Sequence, residues 1–212
     1  MNSVHFFQDG KVKIELSDKR MFKLSAQNWL DLDHAKDDSL SEYQLEVLEN
    51  ASNYMKIREK ILSLLAVREH SVFELQRKTK QKFFKSITKN FSNLFNRCIE
   101  EMQEKDFQSD ERFTRHFVKF RILNKLQGPF KILNDLQSRG ISRELAEDIL
   151  AEIGSHEIWI KKTIDCLEYL LKKNKKLFDV SYRQKLYQRG FPWEIIQEAL
   201  EQHKISSNNL DD

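Results

Sequence analysis

Only two prolines and five glycines stand in a chain of 212 residues. A charge-rich sequence with so few breakers suits helices that carry one apolar stripe and one solvated face. The glycines, at positions 10, 128, 140, 154 and 190, are isolated, which excludes a glycine-rich loop cradling a phosphate. The two cysteines, Cys98 and Cys166, lie in helical patterns with apolar neighbours and read as buried small hydrophobes rather than a disulfide or metal pair. No apolar run approaches the roughly 18 residues of a membrane span, and the N-terminus has no basic-then-apolar signal segment. A soluble, cytoplasmic protein is therefore expected. The six histidines show no His-x-x-x-His spacing, and His116 and His156 read as surface neighbours of acids rather than metal ligands. Carboxylates are scattered, and no Ser–His or Cys–His nucleophile pair stands out. The expectation is a protein without catalytic site, metal or cofactor.

What the chain does have is a repeat. Residues 132–150, ILNDLQSRGISRELAEDIL, align without a gap on 182–200, YRQKLYQRGFPWEIIQEAL. The two share Leu136/Leu186, Arg139/Arg189, Gly140/Gly190, Glu144/Glu194 and Leu150/Leu200, and match in character at Ile141/Phe191 and Leu145/Ile195. Each copy reads as helix, Gly stop, second helix. Gly140 and Gly190 sit where a helix end needs a left-handed residue, which glycine adopts without steric cost. Ser142 suits an N-cap and Pro192 the first position of a helix. A period of about 50 residues argues for stacked helical units rather than one globular core.

In chain order, Asp9-Gly10 is a hairpin dipeptide, and Lys11–Leu16 alternates so that Val12, Ile14 and Leu16 share a face. A meander of two or three strands follows, covered by a short helix carrying Trp29, Leu30 and Leu32, before an acidic linker at 31–41. Ser41–Gln44 and Ser71–Glu74 have capping-box spacing. A long apolar-periodic helix from Ser41, a cationic helix from Ser71 and a third through Phe91–Met102 make the first unit. Acidic Asp110-Glu111 opens the next, with Phe113, Phe117, Phe120 and Ile122 on its apolar side and Lys119, Arg121 and Lys125 on the other. Gly128-Pro129 breaks that helix. A last unit begins near Ile158, passes a basic Lys172–Lys176 loop and closes on the second copy. The expected organisation is 1–40 β-meander with short helix, 41–107 linker helix and repeat 1, 108–155 repeat 2, 156–205 repeat 3, and 206–212 polar tail. The fold class is mainly α, an elongated, curved array of three tandem three-helix repeats behind a small antiparallel β-meander.

The residues Ser109-Asp110-Glu111-Arg112-Phe113, then Gly128-Pro129, then Leu136-Gln-Ser-Arg139-Gly140-Ile141 resemble the RecX family of regulatory proteins. Arg68–Leu75 resembles that family's "R-x-x-S-x-x-E-L" opening, and Leu186–Phe191 its "L-x-R-R-G-F" close. The resemblance spans about 54–202, and the leading meander resembles an extension some members carry. It implies a protein of three tandem three-helix repeats that binds RecA recombinase, lying in the groove of the RecA–single-stranded-DNA filament; a monomer is expected. Members usually inhibit strand exchange, ATP hydrolysis and coprotease activity. The chain departs from the pattern in repeat 1, where Lys80-Gln81-Lys82-Phe83-Phe84 stands in place of the usual Gly and extra residues precede the third helix.

The net charge of +3 hides an asymmetry: residues 1–50 carry 6 Lys/Arg against 10 Asp/Glu, while 56–90 carry 10 against 3. A basic face suits a polyanion or an acidic protein groove, and charge alone does not decide between them. Arg77, Lys78, Lys80, Lys82, Lys85 and Lys89 recur along the second helix of repeat 1, with Phe83 and Phe84 interleaved and expected in the core. Cations so placed can neutralise phosphates. Further candidates for contact with RecA or DNA are Lys119, Arg121, Lys125, Arg139, Arg189 and the patch Lys172, Lys173, Lys175 and Lys176. Arg139 and Arg189 also suit the last helical turns they occupy. Gly128, Pro129, Gly140 and Gly190 are candidate repeat joints, and Trp159 and Trp193 are expected in seams between helices. The alternative function is a stand-alone helical DNA-binding protein acting through the basic repeat-1 face. A general helical adaptor of the tetratricopeptide kind is disfavoured by the period.

Overall fold

The computed structural model describes residues 3–31, 40–87, 89–173 and 179–208, and divides into two units, 1–108 and 109–212. The first begins with three antiparallel strands in sequence order, β1 (Ser3–Phe6), β2 (Lys11–Glu15) and β3 (Met21–Ser25). The alternation of Lys11–Glu15 decides the register: Val12 pairs with Leu24 and Ile14 with Phe22, so all four side chains enter one buried face. Gly10, at φ 75°, closes the first hairpin. Helix α1 (Ala26–Leu30) places Trp29 in this core, whereas Leu30 is turned out to solvent. Trp29 is thus the part of the short helix that covers the sheet; Leu32 lies outside the described residues.

Most of the remaining cover comes from α2 (Glu42–Leu65), whose Ser41–Gln44 capping box is complete. This helix serves two cores. Its first half gives Leu48 to the sheet and accepts the Lys23 amide on Ser52 Oγ at 3.1 Å. Its second half gives Ile57 and Ile61 to a core shared with α3 (Val72–Phe83) and α4 (Phe91–Glu104). Arg58 grips Glu101 of α4 through both carboxylate oxygens, and Tyr54 and Lys105 reach the same carboxylate at 2.7 and 2.6 Å. Glu101 is therefore held ionised down to about 2, chiefly by Arg58.

The second unit contains α5 (Asp110–Asn124), α6 (Pro129–Gln137), α7 (Arg143–Ile153), α8 (His156–Lys173), α9 (Asp179–Gln188) and α10 (Trp193–Asn208). Gly140 and Gly190 have φ of 76° and 89°. After α6 the Ile141 amide bonds Leu136 O and the Gly140 amide bonds Gln137 O. After α9 the Phe191 and Gly190 amides repeat this on Leu186 and Tyr187. Both are left-handed helix ends that satisfy otherwise orphaned carbonyls, with the apolar residue after the Gly folded back onto the last turn. Ser142 caps α7 through the Leu145 amide. Pro192 stands one place before α10, where its carbonyl accepts the Ile196 amide, rather than at its first position.

Three side chains expected inside are outside. Phe84, Phe120 and Trp193 are 71%, 54% and 48% exposed. Phe84 lies beyond the last buried turn of α3. Phe120 lies on the side of α5 opposite Val118 and Ile122, because a spacing of two residues turns it away. Trp193 begins α10, where Arg183 lies over its ring.

Candidate binding surface

Along α3 the buried positions Leu75 and Thr79 mark the inner side, and the exposed residues Phe73, Arg77, Lys80 and Phe84 follow at spacings of four, three and four. At 100° per residue these four fall within one narrow stripe on the outward face. Lys82 and Lys85 are exposed beside its end. From Leu75 to Ile99 the chain contains seven Lys/Arg and no Asp or Glu. Arg77, Lys80, Lys82 and Lys85 make no ion pair or hydrogen bond among the described residues, so their charge faces solvent.

The other two cations of the group differ. Lys78 is half-buried, with Nζ 2.8 Å from His70 Nε2, while His70 Nδ1 is 2.9 Å from the Arg68 carbonyl. An ammonium only donates, so Nε2 is the bare nitrogen and Nδ1 carries the proton. Burial pushes both the His70 and the Lys78 pKa down; the Arg68 charge lowers each further, while the bond from His70 to the Arg68 carbonyl opposes the His70 shift. Lys89 borders a hollow of about 310 Å³ whose other charged lining residues are Glu42, Glu46 and Glu49, so its charge meets carboxylates of α2.

Where the sequence pattern leads one to expect a glycine joint after α3, the chain instead runs through Phe84–Asn90, and the left-handed residue is Asn90, at φ 55°. Its side-chain amide donates to Asn50 rather than capping α4. Between this turn and α3 lies an open cavity of about 500 Å³ lined by Lys80, Phe84, Asn90, Ser92 and Asn93 among others, with no carboxylate.

In the second unit several candidate cations are committed internally. Arg121 is paired with Asp135 at 3.0 Å, bonds Gln127 and covers the Phe117 ring, so it belongs to the apolar side of α5. Arg139 donates to the Asp135 carbonyl and lies over the same ring. Arg189 reaches the Leu126 carbonyl at 3.3 Å and lies over Tyr169. Lys119, Lys125, Lys172 and Lys173 are exposed. Lys172 and Lys173 form the end of α8 rather than a loop; Lys175 and Lys176 lie outside the described residues.

Gly128 and Pro129, which open α6, dock directly on the joint after α9: the Gly128 amide bonds Arg189 O at 2.9 Å and the Phe130 amide bonds Gly190 O at 3.1 Å. A Cβ on Gly128 would lie 2.3 Å from the Gly190 carbonyl, and one on Gly190 would lie 2.4 Å from the Lys131 amide. Sequence reasoning missed this interlock and the Tyr54–Arg58–Glu101 network, since neither has a local signature. The α3 stripe, by contrast, is written in the spacing of Phe73, Arg77, Lys80 and Phe84. No group of three His, Cys, Asp or Glu suited to a metal occurs among the described residues, and no described helix is long and apolar enough to cross a membrane.

Three-helix units with a recurrent helix–Gly–helix joint, preceded by a small antiparallel sheet, define a helical-repeat protein. The profile of "RecX, second three-helix domain" matches residues 109–150. Regulatory protein RecX of Legionella pneumophila is 32% identical over 151 residues, covering 68% of this chain and 93% of that protein. The Bacillus velezensis regulatory protein RecX is 22% identical over 203 residues, covering 94% and 74%. A crystal structure of a regulatory protein RecX superposes with a TM-score of 0.74 at 16% identity over 94% of this chain and 97% of that one. RecX from Lactobacillus salivarius does so with 0.64 at 19% identity over 73% and 99%. The chain belongs to the RecX family of regulatory proteins.

Proposed function

We propose that this protein is a non-enzymatic regulator of RecA, acting in the cytoplasm as a monomer that binds the groove of the RecA–single-stranded-DNA filament and inhibits its recombinase, ATPase and coprotease activities. The likeness to regulatory protein RecX over nearly the whole of that protein carries the reading. The uncompensated cations of α3 support it, because a nucleoprotein filament is a polyanion at its groove. Helical repeats touch a long partner at many modest contacts and need no deep pocket. On this reading Arg77, Lys80, Lys82 and Lys85 meet the filament with Lys119, Lys125, Lys172 and Lys173, while Lys78, Arg121, Arg139 and Arg189 hold the units that present them.

The test is a titration of the full chain into RecA hydrolysing ATP on single-stranded DNA. Inhibition below one protein per RecA is expected. Unchanged hydrolysis at a 1:1 ratio refutes the reading.

A further inference from the structure

We propose that the outer stripe of α3 and the cavity at its end bind single-stranded nucleic acid directly, one base stacking on Phe84 and adjacent phosphates lying on Lys80 and Arg77. The proposal rests on this surface and not on the recombinase reading, since it requires no partner protein. Three observations converge on it. Phe84 is 71% exposed at the mouth of a cavity of about 500 Å³ that Lys80 also lines, so an aromatic face and a cation meet in one recess. Phe73, 46% exposed, stands at the other end of the same stripe, about 16 Å away along the helix axis, with Arg77 and Lys80 between the two rings. No carboxylate lines that cavity, and Glu42, Glu46 and Glu49 border the separate hollow on the Lys89 side of Asn90.

The order aromatic, cation, cation, aromatic decides between polyanions. An acidic protein segment would engage the cations but has no planar π faces recurring along its charged backbone to lie on both rings. Unpaired bases present π faces at intervals along a phosphate chain, which is the chemistry of stacking platforms on a basic track. Duplex DNA offers the phosphates but keeps its bases stacked on one another. Asn90, Ser92 and Asn93 line the rest of the cavity with amide and hydroxyl groups suited to the edge of a base. This recess occupies the place where the resemblance to the family leads one to expect a glycine joint, so it is a property of this chain's first repeat.

The experiment is fluorescence anisotropy of the full chain with a labelled oligothymidine, without RecA, over a range of salt. Saturable binding is expected, with Phe84→Ala weakening it at least about fivefold and leaving the salt slope unchanged, and Phe84→Trp restoring it. Lys80→Gln and Arg77→Gln should each lower the slope of log affinity against log salt by about 0.7. Phe84 is exposed, so its replacement leaves the core intact, and an unchanged circular dichroism melt verifies this. A paired duplex should bind with little dependence on Phe84. The proposal is overturned if wild type fails to bind oligothymidine at low salt, if Phe84→Ala binds as tightly as wild type, or if polyglutamate competes as well as oligothymidine. Because no recombinase is present, each outcome is independent of the ATPase titration.

Discussion

The two copies of the helix–Gly–helix motif invite the expectation that their glycines are equally important, yet the structure makes them unequal. Gly140 and Gly190 share a left-handed backbone, at φ 76° and 89°. Gly140 is exposed, so Gly140→Ala meets mainly the left-handed penalty, about 1–2 kcal/mol. Gly128 has an ordinary backbone, φ −84° and ψ 172°, but a Cβ there would lie 2.3 Å from the Gly190 carbonyl. Gly128→Ala therefore isolates the steric term. The strands of backbone must part, and the bonds from the Gly128 and Phe130 amides lengthen or break, for about 2–4 kcal/mol. Gly190→Ala combines both penalties, about 3–6 kcal/mol, a large share of the stability of a unit this size. The double variant Gly128→Ala/Gly190→Ala should cost less than the sum, because the interface is parted only once. Urea unfolding followed by far-ultraviolet circular dichroism measures all four. If Gly140→Ala costs as much as Gly190→Ala, or Gly128→Ala is neutral, the interlock does not exist in solution.

Two predictions concern pH. Glu101 is held at about 2 against a usual 4.5, so its contribution is full above pH 4.5 and is lost as pH falls toward 2; this amounts to on the order of 2–3 kcal/mol, and Glu101→Gln should flatten the acid limb of a stability–pH curve between those values. The His70 pKa is lowered by burial, so the unfolded chain takes the proton first: stability should be full above the ordinary histidine value near 6.5 and decline below it. His70→Asn should remove that decline, and a wild-type stability flat from pH 7 to pH 5.5 would show that the Lys78–His70 contact does not form.

Much of the fold is legible because its signals are local. Strict alternation places Val12 and Ile14 on the sheet's inner face, and capping serines begin α2, α3, α5 and α7. Left-handed glycine ends are legible for the same reason: a helix stop followed by an apolar residue is a local pattern. The contacts of the arginines are not. Arg121 and Arg139 read as surface charges, and only the packing of α5 on α6 reveals that both lie over Phe117. Residue type alone places Phe84, Phe120 and Trp193 in the core, whereas a count along each helix face turns the first two outward.

The same kind of residue therefore does different work in the two units, and the reason is the joint. In the second unit the turns are made by left-handed glycines, Gly190 in close backbone contact with α6, and the arginines beside them are held by their own unit: Arg139 on Asp135 O and Phe117, Arg189 on Leu126 O and Tyr169. In the first unit, Asn90 supplies the left-handed turn and its side chain bonds Asn50, while the fastening of α2 to α4 falls to Arg58 and Glu101, away from the turn. Arg77, Lys80, Lys82 and Lys85 are thereby released from structural duty, and a run of 25 residues tolerates seven positive charges with no negative one. Mutual repulsion among them destabilises the folded unit, a cost most simply offset when a polyanion is bound. If so, wild type should be stabilised by oligothymidine more than a variant with Arg77, Lys80, Lys82 and Lys85 all changed to Gln, and that variant should be the more stable of the two in low salt without ligand. A variant less stable than wild type under those conditions would mean that these charges serve the fold after all.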